Sequence, residues 1–163
     1  MTDSPLSDPA ASTEHAEGTP GRVLLVDDHP QNLELLQAYL EEFGCVVDTA
    51  TDGLEALAAV ERQAPDLIVL DVMMPRMSGF QVCQKLKDSD ATRSIPVVMV
   101  TALNAVADVE RAVECGADDF LTKPVNKLEL LTRVRSLVRV GQLQRQLDET
   151  LAEVRRLRGQ QRS

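Results

Sequence analysis

The sequence predicts an α/β domain built on a parallel sheet, and three observations carry that expectation. Five short apolar runs lack the alternation of a half-exposed strand; segments with apolar residues at three- and four-residue spacing separate them; and chemistry-bearing polar residues stand where most of the runs end. Strands that are apolar throughout are buried on both faces, which requires helices above and below a parallel sheet.

Met1 to Gly21 is rich in Ser, Thr, Pro, Ala, Asp and Glu without apolar periodicity, and is expected to be a disordered leader holding no site. His15 within it reads as plain surface. The first strand is Arg22 to Val26, closed by Asp27 and Asp28. Pro30 then opens a helix whose Leu33, Leu36, Tyr39, Leu40 and Phe43 share a face, and Gly44 ends it as a C-terminal cap. Cys45 to Val47 is the second strand. Asp52 and Gly53 lead into a helix expected to bury Leu54, Leu57 and Ala58, and Ala64 at its end, before Pro65 breaks it.

Leu67 to Leu70 is the most apolar strand and is closed by Asp71. The loop from Met73 to Gly79 precedes a helix carrying Phe80, Val82, Cys83 and Leu86. Ile95 to Val100 is the fourth strand, with Pro96 tolerable near its start and Thr101 at its end. A helix from about Ala105 to Cys115 stops at Gly116. Asp119 to Thr122 is a short fifth strand ending at Lys123-Pro124, and a final helix starts near Val125. The domain thus spans residues 22–140, and residues 141–163 form a helical tail. Gly141 is read as an interruption, after which Val140, Leu143, Leu147, Thr150, Val154 and Leu157 define a short coiled-coil-like seam, its flanks filled by Arg and Glu. Such a seam serves dimerisation or connection, where a lone surface helix packed on the domain would need none.

Composition narrows the function. A hydrophobic fraction of 44% with only 2% aromatic residues calls for an aliphatic core. The net charge of −9 is unevenly spread: residues 1–21 hold four acids and no base, whereas residues 125–163 hold nine bases against four acids. An acidic body argues against a general nucleic-acid binder, and the interleaved basic tail reads as a solvated helix face, so direct DNA binding is not expected. No apolar run is long enough for a membrane helix and the acidic start is unlike a secretory signal, so a cytoplasmic location is expected. Cys45, Cys83 and Cys115 fit neither a zinc pattern nor a disulfide framework and are expected to be buried free thiols.

In an open parallel sheet, ligands bind beyond the carboxyl ends of the strands. Asp27 and Asp28 stand there after the first strand, Asp71 after the third, Thr101 after the fourth and Lys123 after the fifth. Two carboxylates about 4 Å apart repel by roughly 1 kcal/mol in water and about 4 kcal/mol at an effective dielectric of 20. Three of them with one ammonium call for a hard divalent cation, and Mg²⁺ suits an all-oxygen ligand set. His29 follows the acid pair and reads as the start of a loop rather than a ligand. A carboxylate beside Mg²⁺, a hydroxyl and an ammonium has the parts for in-line phosphoryl transfer. Without a GxGxxG or Walker lysine loop, the phosphoryl donor comes from another molecule.

The segments Val26-Asp27-Asp28, Leu70-Asp71-Val72-Met73-Met74-Pro75, Ser78-Gly79, Val100-Thr101-Ala102 and Asp119-Phe120-Leu121-Thr122-Lys123-Pro124 resemble the receiver domains of two-component response regulators. The resemblance runs from about Arg22 to Val140. It implies a five-stranded, flavodoxin-like doubly wound sheet of order 2-1-3-4-5. It also implies that Asp71 accepts a phosphoryl group from a histidine kinase or histidine phosphotransfer protein, with only self-catalysed phosphorylation and dephosphorylation as chemistry. Asp28 and Asp71 would bind Mg²⁺ by side chain, Asp27 through or beside a water, and Met73 by its backbone carbonyl. Thr101 and Lys123 would contact the phosphoryl group, Thr101 and Phe120 would form the switch, and the Lys123-Pro124 bond would be cis.

Two departures stand out. Val109 occupies a position where family members that dimerise through the fourth helix, fifth strand and fifth helix often carry Lys, although Asp118, Asp119, Glu129 and Arg133 remain. Met73 is a bulky apolar residue two places past the acceptor. Self-association through that face or through the C-terminal helix is the expected consequence of the switch. Three alternatives remain: a regulatory fragment of a longer response regulator, a degenerate receiver that only binds, and an aspartyl-phosphate phosphatase. The phosphatase would place a second acid where Met73 stands.

Overall fold

The computed structural model describes residues 20–102 and 106–161, with the side chains of Val106, Asp108 and Val109 also outside the description. The chain alternates β1 (Arg22–Val26), α1 (Pro30–Glu42), β2 (Val46–Ala50), α2 (Gly53–Arg62), β3 (Leu67–Asp71), α3 (Gly79–Asp88), β4 (Val97–Thr101), α4 (Val106–Glu114), β5 (Asp119–Thr122) and α5 (Lys127–Gln161). All four strand pairings are parallel and the sheet order is β2-β1-β3-β4-β5. The implied order is therefore the observed one.

The uninterrupted apolar runs have the expected cause. Every residue of β3 and β4 is buried, and successive side chains alternate between two cores. Leu24, Val26, Ile68, Leu70, Val97 and Met99 face one layer, which also holds Val82, Cys83 and Leu86 of α3. Val23, Leu25, Leu67, Val69, Val98 and Val100 face the other, with Leu33, Leu36 and Leu40 of α1 and Leu130, Val134 and Val138 of α5. Val109 of α4, read against a dimer-forming lysine, has its side chain outside the described residues.

Several sequence expectations need correction. The second strand begins at Val46 rather than Cys45, and the fourth at Val97 rather than Ile95. Leu54 is exposed, as is Ala58, whereas Ala56, Ala59 and Val60 form the buried face of α2 with Leu57 at its edge. The small residues win because α2 lies close on its neighbours: a Cβ on Gly53 would meet Met77 Sδ at 2.8 Å and Val82 Cγ2 at 2.9 Å. Cys83 and Cys115 are buried free thiols as expected, and burial pushes the Cys83 thiol up, but Cys45 is only half-buried.

The largest correction concerns Gly141, which does not interrupt the final helix. That helix starts at Lys127, with Asn126 Oδ1 accepting from Glu129 N at 3.0 Å, and continues to Gln161. At 1.5 Å per residue its 35 residues span about 50 Å. Gly141 is buried because the helix passes over the amino end of β3: an added Cβ would sit 2.0 Å from the Asp66 carbonyl oxygen. One turn on, Arg145 Nη1 lies 2.9 Å from Asp66 Oδ1, and Asp148 Oδ2 accepts from Ser94 Oγ at 3.4 Å. Beyond these anchors the tail is exposed.

Candidate functional site

Four strand ends converge on one edge of the sheet. Because β1 and β3 are adjacent, with Val26 opposite Leu70, Asp27 and Asp71 are neighbours rather than distant acids. Asp27, Asp71 and Thr101 are all buried, which is uncommon for such residues unless they are partnered. The β5 connection brings Lys123 in: the Lys123-Pro124 bond is cis, and Lys123 N donates to Thr101 O at 2.7 Å. Lys123 Nζ then stands 3.3 Å from Asp71 Oδ2 and 3.8 Å from Asp27 Oδ2.

Local sequence fixes this geometry. Val72 N donates to Val100 O at 3.0 Å, holding the chain after Asp71 against β4. Gly79 N then donates to Val72 O at 2.9 Å. A Cβ on Gly79 would lie 2.2 Å from the Asp71 carbonyl oxygen, so only glycine permits α3 to begin so close to the site. Ser78 caps α3 in a reciprocal box with Gln81. Met73 N donates to Asp71 Oδ1 at 3.3 Å, while the Met73 side chain is exposed.

The carboxylates are crowded and incompletely satisfied. Ligand atoms of Asp27, Asp28, His29 and Asp71 all fall within 4.8 Å of one another. Asp28 Oδ1 and Asp71 Oδ2 are buried without an aligned hydrogen bond, despite the nearby His29 and Lys123 nitrogens. Burial, and then the Asp27 charge, push the Asp71 carboxyl above the usual carboxylate range against the pull of Lys123 and the Met73 N–H. Buried oxygens with unused lone pairs, in a cluster of three carboxylates, are the donor set of a hard cation. The residues present therefore fit Mg²⁺.

The expected residues meet: Asp27, Asp28, Asp71, Thr101 and Lys123 stand on one edge. Phe120 lies one residue before Leu121 on β5, half-buried against the α3 and α4 side of the core. Two partners escaped the sequence reading. His29, taken for the start of a loop, occupies the N-cap position of α1, with Nδ1 3.2 Å from Asp27 Oδ1 and 3.0 Å from Asp28 Oδ1. Asn32 donates to Asp27 Oδ2 at 3.3 Å; its place in the first turn after an acid pair was the signal available. Farther off, Arg133 pairs with Asp119 at 2.6 Å and Glu129 at 3.2 Å.

A doubly wound parallel sheet thus carries an acidic, cation-fitting pocket and a lysine at its carboxyl edge. Comparison with known proteins makes the class specific. The family described as response regulator receiver domain matches residues 23–135, and the chain belongs to it. Response regulator PleD of Caulobacter vibrioides is 49% identical over 136 residues, covering 83% of this chain and 30% of PleD. The DNA-binding dual master transcriptional regulator RpaA of a Synechocystis species is 44% identical over 118 residues, covering 72% of this chain and 49% of RpaA. The chain thus spans half or less of these relatives.

Solved structures agree. The receiver domain of a signal transduction histidine kinase from Syntrophus aciditrophicus superposes with a TM-score of 0.69 at 42% identity, covering 72% of this chain and 89% of that one. The receiver domain of sensor histidine kinase PA1611 from Pseudomonas aeruginosa PAO1 gives a TM-score of 0.68 at 28% identity, covering 74% and 98%. That structure has a magnesium ion coordinated in its active-site cleft. No helix among the described residues is long and apolar enough to cross a membrane.

Proposed function

We propose that this chain is a phosphoacceptor switch whose Asp71 takes a phosphoryl group from the phosphohistidine of a histidine kinase or histidine phosphotransfer protein. The observation that carries the reading is the Asp71 carboxylate, buried at the end of the central strand, 3.3 Å from Lys123 and crowded by Asp27. Asp28 and Asp71 would hold Mg²⁺ by side chain, Asp27 through or beside a water, and Met73 by its backbone carbonyl. When bound, the ion supplies positive charge to the three carboxylates and to the phosphoryl oxygens.

The remaining chemistry belongs to the chain. An Asp71 carboxylate oxygen attacks phosphorus in line, an O–P bond forms as the donor P–N bond breaks, and the departing imidazole keeps the bond electrons and takes a proton from solvent. Lys123 favours the ionised carboxylate before transfer and neutralises phosphoryl oxygens after it. The Thr101 hydroxyl donates to a phosphoryl oxygen, and Phe120 turns inward behind it. The acyl phosphate adds charge and strong acceptors at a buried site, by analogy with other phospho-residues. Inverting a two-state population from 1:99 to 99:1 takes about 5.5 kcal/mol, which lies within the roughly 3–9 kcal/mol that two or three charge-assisted hydrogen bonds total.

Residues 1–21 then serve as leader, residues 22–140 as receiver and residues 141–163 as tail. The output is a change in partner binding or self-association, through the α4–β5–α5 face or the C-terminal helix. In a longer protein the same tail would lead to an output segment. Incubation with a small phosphodonor, followed by intact mass, tests the reading. One phosphoryl group is expected with Mg²⁺ and none with a chelator; labelling that ignores Mg²⁺ would sink the cation-dependent site.

A further inference from the structure

The tail of α5 has two faces with different fates. Gly141, Arg145 and Asp148, spaced four and three apart, lie against Asp66 and Ser94 of their own domain. Roughly a third of a turn away runs a second stripe, Val140, Leu143, Leu147, Leu151, Val154 and Leu157, each 40–57% exposed. Six large aliphatic side chains in one line on a solvated helix need a partner surface. The body holds the face of Gly141, Arg145 and Asp148, so pairing along this stripe leaves those contacts in place.

We infer that a second copy of this chain covers the stripe, as a parallel two-stranded coiled coil in which Glu153 faces Arg158 of the partner subunit. This deepens the self-association named above and depends on it. Val140, Leu147 and Val154 recur every seven residues, and Leu143, Thr150 and Leu157 follow each by three. Val140 and Val154 at the first of these positions, with Leu143 and Leu157 at the second, follow the β-branched and leucine pattern that favours two parallel strands, and Leu147 and Thr150 between them depart from it. The charges choose the same orientation. In the parallel pair the flanking Glu153 of each chain meets Arg158 of the partner subunit. An antiparallel pair over the same residues would set Glu153 against the partner subunit's Gln146 and leave no opposite charges together. Within the monomer Glu153 pairs with Arg156, which lies off the seam and does not compete for it sterically. Leu151, beside Thr150, widens the apolar strip where the polar residue interrupts it.

Sedimentation equilibrium of the full chain tests both partner and orientation. The wild type is expected to show a reversible monomer–dimer equilibrium. Glu153→Arg alone and Arg158→Glu alone each place like charges across the seam, and each is expected to weaken dimerisation on the order of tenfold. An equimolar mixture of the two variants restores opposite charges at both contacts, and its dimer returns as a heterodimer. A wild type monomeric at all concentrations, single variants that dimerise as the wild type does, or a mixture no stronger than its components would each overturn the inference. Both positions are exposed and remote from Asp71, so Mg²⁺-dependent labelling of the variants by intact mass stays at the wild-type level. Lost labelling with intact dimers would instead count against the phosphoacceptor reading alone.

Discussion

Two aspartates bracket the central strand and have opposite circumstances. Asp66 precedes β3 and Asp71 ends it, and at 3% and 2% exposure they are equally buried. Asp66 has one cation and one backbone donor: Arg22 N donates to its Oδ2 at 2.9 Å, and the Arg145 guanidinium stands 2.9 Å from its Oδ1, an oxygen that, like Asp71 Oδ2, accepts no aligned hydrogen bond. Asp71 has Lys123 and one backbone N–H to set against burial and the Asp27 charge, and its carboxyl is pushed up. The same residue type is thus a structural anchor just before the strand and a crowded carboxyl at its carboxyl end. With burial alike at the two positions, the neighbouring charges and donors decide which role each carboxylate takes.

The contrast breaks most sharply at Gly141. Gly141→Val forces a side chain into the Asp66 carbonyl, so either β3 or the helix must move, with an expected loss of about 3 kcal/mol in urea unfolding. Gly159, which has nothing within 4 Å of a Cβ, is the control: Gly159→Ala is expected to be neutral or to gain up to about 1 kcal/mol of helix propensity. Equal effects at the two glycines would remove the anchoring role from the amino end.

Mg²⁺ should act only at the other end. At a hundred times its dissociation constant it is expected to stabilise the fold by about 2.7 kcal/mol, and Asp28→Ala should remove most of that gain. Thermal melts with and without the ion measure it. A full response in the Asp28 variant would place the cation elsewhere.

Asp66→Ala strips Arg145 and Arg22 N of their shared partner, and a loss of roughly 2 kcal/mol is expected. Asp71→Asn should move stability the other way, by on the order of 1 kcal/mol at neutral pH without divalent ions. The sign follows from the raised native carboxyl of Asp71. Between the unfolded and native titration ranges the native state binds more protons, so the Asp71 contribution is complete below the unfolded range and is lost as pH rises through the native one. The gain from Asn should therefore shrink on acidification. Destabilisation by Asp71→Asn at neutral pH would mean that Lys123 outweighs the crowding.

The carboxyl end was the more legible of the two in sequence. Its residues punctuate apolar runs, and a parallel sheet carries every such stop to one edge, so Asp27, Asp28, Asp71, Thr101 and Lys123 emerged together. The amino end gave no comparable signal. Asp66 and Arg145 are far apart in the chain, and each alone looks like ordinary surface. Gly141 read as a break because glycine costs about 1 kcal/mol in a helix interior, a local preference that close backbone packing overrides. Leu54 misled for a related reason: size suggested burial, but the buried face of α2 is Gly53, Ala56, Ala59 and Val60, with Leu57 at its edge. His29 and Asn32 were missed because their partners lie in the preceding turn, where helix periodicity says nothing.

The central claim is that of these two buried carboxylates only Asp71 is reactive. Phosphorylation by a small phosphodonor with Mg²⁺, followed by peptide mapping of wild type, Asp71→Asn and Asp66→Asn, addresses it directly. The account predicts a single label on the peptide containing Asp71 in wild type, its loss in folded Asp71→Asn, and its survival in folded Asp66→Asn. Undiminished labelling of folded Asp71→Asn would contradict it.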